Sequence, residues 1–464
     1  MSYEVSNSRD ISELINHENL KIKHLLLMLS IALSGILVDG MLLASIGVGT
    51  TQLTSYFNLS SYGLAFVSAS VGIGALIGAA IGGFLTDKLG RTTLFAIDML
   101  LFVLASILAA LSINAYMYTI FRAIMGMGVG IDFPVALSFV AEVSRISKKA
   151  RNVSAWNAVE ALGFILIYLI LAAVFIVFNP GINIWRWAAG LIAIPAAIVL
   201  IMRFVYLQES PLWLASQGKV EEAVDILKNN YGLDIKYSKP SREALTVREK
   251  INQYKVIFSK KYWKRSVILG IEAPVQGIEF YAVTIFTPVI LAAFFNVNFV
   301  LVMLGSAFIN IFNGLGSVLT MGVVQKIGFR KVGIIGAVPT VFVLLTLGLY
   351  TNELTPFLII ALISLFEFLH AFGIGPLPMS MGSISYPTEI RGTGLGWIQT
   401  MIRVGSVAGL LYFPIVKAAL KLSGTFLLLM FVPLVMILIL SLFKWEPVNM
   451  DIDRTWEESD SKVH

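Results

Sequence analysis

The sequence predicts an all-α integral membrane protein with twelve transmembrane helices in two pseudo-symmetric six-helix bundles. Three observations lead to this prediction: the composition, the length of the apolar runs and a repeat between the halves. Of the 464 residues, 57% are hydrophobic and 13% are charged, and the mean hydropathy is +0.83, well outside the usage of soluble domains. The apolar runs reach about 20 residues or more, which is enough to cross a hydrocarbon core of about 30 Å as helix.

Twelve apolar runs follow one another along the chain. They lie near residues 24–49, 62–85, 93–113, 115–143, 153–178, 186–207, 266–295, 298–323, 332–350, 357–385, 393–416 and 424–443. The first run contains Asp39 and has no small-residue cleavage site behind it, so we expect a retained helix rather than a signal peptide. The absence of cysteine excludes disulfides and thiolate chemistry.

The basic residues fall in alternate loops between these runs. If the spans alternate, the positive loops share one side, and the positive-inside rule places both termini and the central loop in the cytoplasm. We therefore predict a multi-pass protein of the cell (inner) membrane, in contact with the lipid bilayer and not with nucleic acid, despite the net charge of +6. The predicted divisions are an N-terminal bundle (1–207), a cytoplasmic linker with short helices (208–264), a C-terminal bundle (265–445) and a cytoplasmic tail (446–464).

Two short segments are repeated between the halves. The sequence Asp-Lys-Leu-Gly-Arg at 87–91, after predicted helix 2, is echoed by Gln-Lys-Ile-Gly-Phe-Arg at 325–330, after predicted helix 8. A Gly-Val-Gly at 128–130 with Glu142 matches a Gly-Ile-Gly at 373–375 with Glu389. Such parallel repeats predict a substrate site between the halves, near the middle of the membrane.

The segment 83–91 resembles the signature loop between helices 2 and 3 of the major facilitator superfamily. A carboxylate and two cations in a glycine turn can hold the end of helix 2 against the N-terminus of helix 11, where the helix dipole favours Asp87; the alternative is a merely solvated charged turn. The resemblance implies the major facilitator fold and a conformational latch formed by Gly83, Asp87, Lys88, Gly90, Arg91, Glu142, Arg151, Glu389 and Arg391.

Other motifs divide between subfamilies of that superfamily. The segment 208–214 resembles sugar porters and organic-ion transporters, and the Gly-Pro-Leu-Pro at 375–378 is similar to sugar porters. The Asp-Phe-Pro at 132–134, with Glu142 and Arg151 behind it, resembles phosphate and aromatic-acid proton symporters. These motifs indicate a solute class without selecting one solute.

Charged side chains inside the predicted spans are candidates for the transport chemistry, because each costs about 2.5–3.5 kcal/mol at the bilayer centre on insertion scales. Asp39, Asp132 and Glu160 are the candidates for proton coupling. Two carboxylates in a poorly hydrated cavity favour proton uptake, and the resembling symporters have acids in helices 1 and 4. The alternative is structural: Asp132 would cap a helix break at Pro134, and Asp39 would bond to backbone.

A second set of residues is predicted to bind substrate: Arg403, Gln276, Glu279, Tyr281, Arg122, Glu367 and His370. A guanidinium in a dry cavity suits a carboxylate or phosphate, although Arg403 could instead pair with Glu279 or Glu367. The spacing of Glu367 and His370 puts them on one helix face, where they could relay a proton or form a salt bridge. No Walker motif or second di-iron half-site is present, so we expect no metal or cofactor and the proton gradient as the energy source.

We predict a secondary active transporter, not an enzyme: a monomeric proton-coupled symporter that imports a small polar solute by alternating access. An organic anion is the first expectation, through Arg403 and the spacing in helix 4. A sugar, carried with protons or without them, is the alternative, followed by inorganic phosphate. A receptor or channel that keeps the fold without transporting is the competing class.

Overall fold

The structure is a computed structural model that describes residues 3–5, 8–16, 25–229, 233–237, 253–294 and 298–452. Within this part of the chain, twelve helices are long and apolar enough to cross a membrane, as the sequence predicts. They are α1 (Leu25–Ser45), α2 (Ser61–Leu89), α3 (Arg91–Ala110), α4 (Ala115–Val143), α5 (Ile146–Phe178), α6 (Gly181–Tyr206), α7 (Trp263–Ala292), α8 (Phe299–Ile327), α9 (Phe329–Tyr350), α10 (Pro356–Ser383), α11 (Arg391–Lys417) and α12 (Ala419–Leu442).

Local sequence signals set several helix ends. The Ser60 hydroxyl accepts a hydrogen bond from the Gly63 N–H at 3.1 Å at the start of α2, and the Asn114 side chain caps α4 in the same way. Gly90 and Gly328 join α2 to α3 and α8 to α9 with φ of 90° and 84°, a region that other residues disfavour. The two repeated segments therefore make the same turn in each half.

Four of the described spans contain interruptions. In α12 the backbone is non-helical at Lys421, and Met430 separates two helical parts. The span α6 begins with a short 3-10 turn at Gly181–Asn183, and α7 is interrupted between its helical parts Trp263–Val283 and Thr287–Phe294. The middle of α10 is a π-helical segment, His370–Ile374. In contrast, α4 continues through Pro134, so the helix break considered for Asp132 is absent.

The helices pack in the same pattern in both halves. In the N-terminal half α2 packs on α4, α1 on α5 and α3 on α6, and in the C-terminal half α8 packs on α10, α7 on α11 and α9 on α12. The halves meet where α5 packs on α8 and α2 on α11. Glycines allow the closest approaches: a Cβ at Gly74 would lie 1.9 Å from the carbonyl oxygen of Ala123.

One end of the bundle carries the α2–α3, α4–α5, α8–α9 and α10–α11 connections and the chain between α6 and α7; we call this end the linker face. The linker contains helices at Pro211–Ser216, Val220–Asn229 and Gln253–Ile257. Strand β1 (Tyr3–Val5) pairs in parallel with β2 (Ile235–Tyr237), and the helix Ser8–Asn16 packs on Pro211–Ser216. The sequence analysis predicted short linker helices but not this pair of strands.

Candidate functional site

Asp87 connects the two halves at the linker face. It lies in the last turn of α2, and its carboxylate accepts hydrogen bonds from the Gly392 N–H at 3.1 Å, the Thr393 N–H at 2.8 Å and the Thr393 hydroxyl at 3.0 Å. The two N–H groups belong to the first turn of α11, where they have no acceptor within the helix and where the dipole favours an anion. Gly83 permits this approach, since a Cβ there would lie 2.5 Å from the carbonyl oxygen of Gly392.

Glu142 of α4 lies between two arginines from different halves. Its Oε1 is 2.7 Å from Nη2 of Arg91 and 3.2 Å from Nη1 of Arg391. Arg91 is also 3.5 Å from Asp87. These four side chains belong to residues that are at most 3% exposed. Two acids and two bases therefore balance their charges within one buried cluster, which we call the latch cluster.

Other residues predicted for the latch lie around this cluster. Lys88 is exposed, with its ammonium group 3.9 Å from the centroid of a neighbouring phenylalanine ring. Arg151 is exposed and contacts the side chain of the next residue at 3.4 Å. Glu389 lies in the turn before α11, and Gly90 forms the bend that follows Asp87. Lys88 and Arg151 are thus exposed and do not belong to the buried cluster.

The repeated segment after α8 makes an uncharged version of the Asp87 contact. Oε1 of Gln325 accepts the Ala150 N–H at 3.0 Å, and Nε2 donates to the Ile146 carbonyl at 3.1 Å. Ala150 and Ile146 belong to the first turns of α5. An amide of the C-terminal half therefore bridges an N–H and a carbonyl group in the first turns of an N-terminal-half helix, whereas Asp87 caps the free N–H groups of α11.

Inside the N-terminal half, a buried arginine joins two of the membrane acids. Nη2 of Arg203 in α6 is 2.7 Å from Asp132, and Nη1 is 3.0 Å from Asp98 in α3. Nη2 also donates to the carbonyl oxygen of Ala32 at 3.0 Å, and the guanidinium lies 4.1 Å from the centroid of the Phe95 ring. Asp132 is therefore an ion-pair partner within its own half.

Sequence reasoning did not single out Arg203. It lies near the end of the sixth apolar run, where long basic side chains usually reach the membrane surface. The available signal was its position inside an otherwise apolar stretch, opposite Asp98 and Asp132 in other helices. Gly35 of α1 makes room for the group, because a Cβ there would lie 2.2 Å from Nη2 of Arg203.

A second charged cluster lies between the halves. Asp39 of α1 is fully buried, and neither of its carboxylate oxygens has a hydrogen-bond partner in the described part of the chain. It interacts electrostatically with Asp132 of α4, Arg403 of α11 and Glu160 of α5, and Arg403 likewise interacts with Asp39 and Glu160. Nη1 of Arg403 donates a hydrogen bond to the Tyr281 hydroxyl of α7, and the guanidinium lies 5.7 Å from the centroid of the Phe133 ring. We call Asp39, Glu160 and Arg403 the central cluster.

Uncharged groups connect the halves on the linker side of the bundle. The Trp156 indole N–H donates to the Ser380 hydroxyl at 3.0 Å, and the Asn157 amide donates to the Ala371 carbonyl at 3.1 Å.

Gln276 of α7, which was predicted to bind substrate, is 5% exposed, and its amide oxygen accepts no hydrogen bond from the described residues.

Arg122 lies apart from the central cluster. It donates to the Ser45 hydroxyl at 3.1 Å, lies 5.7 Å from the centroid of the Tyr118 ring, and borders a small cavity shared with Trp185. This end of the bundle is opposite the linker face. The halves also touch here, since a Cβ at Gly47 would lie 2.6 Å from the carbonyl oxygen of Ile285.

The remaining predicted residues form a third cluster, within the C-terminal half. Nδ1 of His370 in α10 is 3.5 Å from Oε2 of Glu279 in α7. Glu367 instead accepts hydrogen bonds from the Thr284 hydroxyl at 2.7 Å and the Asn313 amide at 2.8 Å. The nearest carboxylate partner of His370 is therefore Glu279 and not its helical neighbour Glu367. In the described part of the chain, neither Glu279 nor Glu367 forms a salt bridge with Arg403, which the sequence analysis considered as their partner.

Comparisons with known proteins agree with this architecture. The family model described as "Sugar (and other) transporter" matches residues 30–455. The metabolite transport protein YaaU of Escherichia coli is 26% identical over 424 residues, covering 91% of this chain and 92% of that protein. The glucose transporter GlcP of Staphylococcus epidermidis is 26% identical over 380 residues, covering 79% and 82%.

Solved structures show the same fold. The proton:xylose symporter XylE bound to 6-bromo-6-deoxy-D-glucose superposes with a TM-score of 0.76 at 21% identity, covering 92% of this chain and 97% of that one. The human organic anion transporter MFSD10 superposes with a TM-score of 0.64 at 14% identity, covering 89% and 98%. Twelve spans, the repeated halves and a family match over nearly the whole chain lead to one conclusion: this protein belongs to the sugar (and other) transporter family and is a secondary transporter with the major facilitator fold.

Proposed function

We propose that this protein is a proton-coupled symporter of a small polyhydroxylated solute, a sugar or a cyclitol. The observation that carries the proposal is Asp39, a buried carboxyl group without hydrogen bonds, next to Glu160 and Arg403 between the two halves. Such a group can exchange a proton whenever the site opens to water, and a solute hydroxyl can then supply the hydrogen bond that the carboxyl group lacks.

The relatives support a sugar over the organic anion that the sequence analysis put first. One curated relative is named a glucose transporter and another, in Arabidopsis thaliana, an inositol transporter. The aromatic rings of Phe133 and Tyr281 border the same cluster, and Gln276 offers a free amide oxygen in the neighbouring helix. Apolar ring faces with a few convergent polar groups suit a sugar ring.

An organic anion remains the second candidate because of one observation. The Nε of Arg403 has no hydrogen-bond partner, although the side chain is buried. A carboxylate could accept a hydrogen bond from this N–H and share its charge with the guanidinium. Glu160 and Asp39 weigh against an anion, because their negative charges lie beside the same arginine.

Transport would proceed by exchanging the contacts at the two ends of the bundle. The latch cluster and the Trp156–Ser380 bond would break to open the linker face, and the Gly47–Ile285 contact would break to open the opposite face. The central cluster would then be reached from one side at a time. The monomer contains all of these contacts, so we propose that one chain is the transporting unit.

We also propose that the linker face is cytoplasmic, as the positive-inside rule requires. Lys148 and Lys331 are exposed at this face. Because the chain has no cysteine, a single cysteine placed at either lysine can report its side with a membrane-impermeant maleimide. In intact cells we expect labelling only after permeabilisation; labelling without it would reverse the assignment.

The first test is solute-induced proton movement in proteoliposomes that contain a trapped pH dye. Glucose, xylose, myo-inositol and small carboxylates are added outside, with protein-free vesicles to subtract leakage. We expect acidification with a sugar or cyclitol, and a smaller acidification per transported solute in Asp39→Asn with solute exchange retained. Acidification with carboxylates alone would favour the second candidate, whereas sugar uptake without proton movement would identify a facilitator.

A further inference from the structure

The third cluster has a feature that the proposed coupling at Asp39 does not use. Glu279 and His370 are buried, at 0% and 1% exposure. Among the residues that the structure describes, neither carboxylate oxygen and neither ring nitrogen has a hydrogen-bond partner, and Nδ1 lies 3.5 Å from Oε2. Four polar atoms without hydrogen bonds in one buried contact require an explanation, because each unsatisfied group costs about 1–3 kcal/mol.

The surroundings hold the imidazole ring in place. The ring stacks between Phe280 and Phe366, with centroids 5.8 Å away on each side. His370 is also the first residue of the π-helical segment in α10, a type of distortion that is frequent at functional sites. The histidine is therefore positioned by its aromatic neighbours and by the backbone, with Nδ1 3.5 Å from the carboxylate.

The charged and titratable groups around the pair are few. Glu367 faces it from α10 and interacts electrostatically with both members, and Tyr168 of α5 interacts with Glu367. The neighbouring span α8 carries no charged residue before Lys326, and α9 carries none after Lys331. Without a proton, Glu279 would place an uncompensated negative charge beside a neutral ring, which is costly in a dry site.

We infer that Glu279 and His370 together bind one exchangeable proton in the C-terminal half, separate from the central cluster. The proton is bonded to Nδ1 of His370, and Oε2 of Glu279 accepts its hydrogen bond. It makes the pair electrically neutral and satisfies one atom on each partner. Opening of the cavity to water lets it exchange, so the pair can carry a proton of its own through the transport cycle.

The binding of this proton can be tested without any transported solute. The chain has four histidines, so replacing His17, His24 and His464 with glutamine leaves His370 alone. Its ring nitrogens, labelled with nitrogen-15, then report the ratio of protonated to neutral imidazole by NMR in lipid nanodiscs. We expect this ratio at pH 6.5 to fall about tenfold or more in Glu279→Gln, since a charge at this distance is worth more than 1.4 kcal/mol in a partly shielded site.

A matched control is Glu367→Gln. It removes the charge of the acid that lies on the same helix as His370, and it keeps a polar side chain beside Thr284 and Asn313. We expect a change in the ratio of less than about threefold, because this carboxylate is already satisfied by Thr284 and Asn313. A ring that stays neutral from pH 5 to pH 8, or equal effects of the two variants, would overturn the inference.

The role in transport rests on the proposed function and is measured separately. Reversal potentials of solute-driven proton flux give the number of protons per solute, and His370→Gln should lower this number by one while uptake remains coupled through Asp39. An unchanged ratio would restrict the pair to a static proton site. If no solute moves protons in the wild type, the proposed symport fails, but the NMR result still decides whether the pair binds a proton.

Discussion

Replacing Asp87 with asparagine should release the linker face of the bundle. The carboxylate accepts three hydrogen bonds from the start of α11, and a hydrogen bond to a charged group is worth about 1.5–3 kcal/mol, with about 0.3–1 kcal/mol more from the helix dipole. An asparagine side chain keeps one oxygen that can accept a hydrogen bond, but its NH₂ group then faces N–H and O–H groups that need an acceptor. We expect the closed linker face to lose about 2–4 kcal/mol, a shift in population of roughly 30-fold to 800-fold.

The shift can be measured as a distance between the halves. Because the chain has no cysteine, spin labels can be attached to cysteines that replace the exposed Lys148 and Lys331. Double electron–electron resonance in nanodiscs should show a longer separation gaining population in Asp87→Asn. Lys88→Gln is the matched control, since Lys88 is exposed beside the same turn, and it should leave the distribution within about twofold. Identical distributions for Asp87→Asn and wild type would refute the reasoning, as would an equal shift in the control.

Three further predictions follow from the packing. Arg203→Met leaves Asp98 and Asp132 without their cation and should lower the free energy of unfolding by about 3–5 kcal/mol. The unfolding temperature should fall, and adding Asp98→Asn and Asp132→Asn should largely restore it. An unchanged unfolding temperature in Arg203→Met would contradict the ion-pair assignment. Gly83→Ala places a Cβ 2.5 Å from the Gly392 carbonyl oxygen, so it should separate α2 from α11 in the same distance assay, whereas Gly322→Ala, with open space around it, should have no effect. Trp156→Phe removes one hydrogen bond between the halves and should weaken closure by about 1 kcal/mol, less than the change at Asp87; a larger effect would mean that the indole, not the carboxylate, dominates the closed state.

The ion pair of Asp132 changes the interpretation of proton coupling. The sequence analysis grouped Asp39, Asp132 and Glu160 as candidates because each is a carboxyl group in an apolar run. In the structure, Asp132 is bonded to Arg203, whereas Asp39 has no hydrogen bond. Removing a charge from an existing ion pair is costly, so Asp39 is the stronger candidate for proton exchange and Asp132 for holding α4 against α6.

The sequence by itself determined the membrane class, the number of spans and the repeated halves. Hydropathy and length are local properties, and the need to satisfy every backbone group in lipid leaves helix as the structure of an apolar run. The segments 83–91 and 325–330 also predicted equivalent turns, because their glycines at Gly90 and Gly328 permit the same backbone bend. The contact of Asp87 with the start of α11, by contrast, was expected from the resemblance to the major facilitator superfamily.

Only the tertiary structure decided which charged groups meet. His370 and Glu367 share a helix face in the sequence, yet α7 brings Glu279 to the histidine, and Arg203 finds its acids in α3 and α4. These partners depend on the rotation and depth of each helix against its neighbours, which arise from packing over the whole bundle. A pattern along one helix records which side chains are charged, but the assembly of all twelve determines which of these charges form ion pairs.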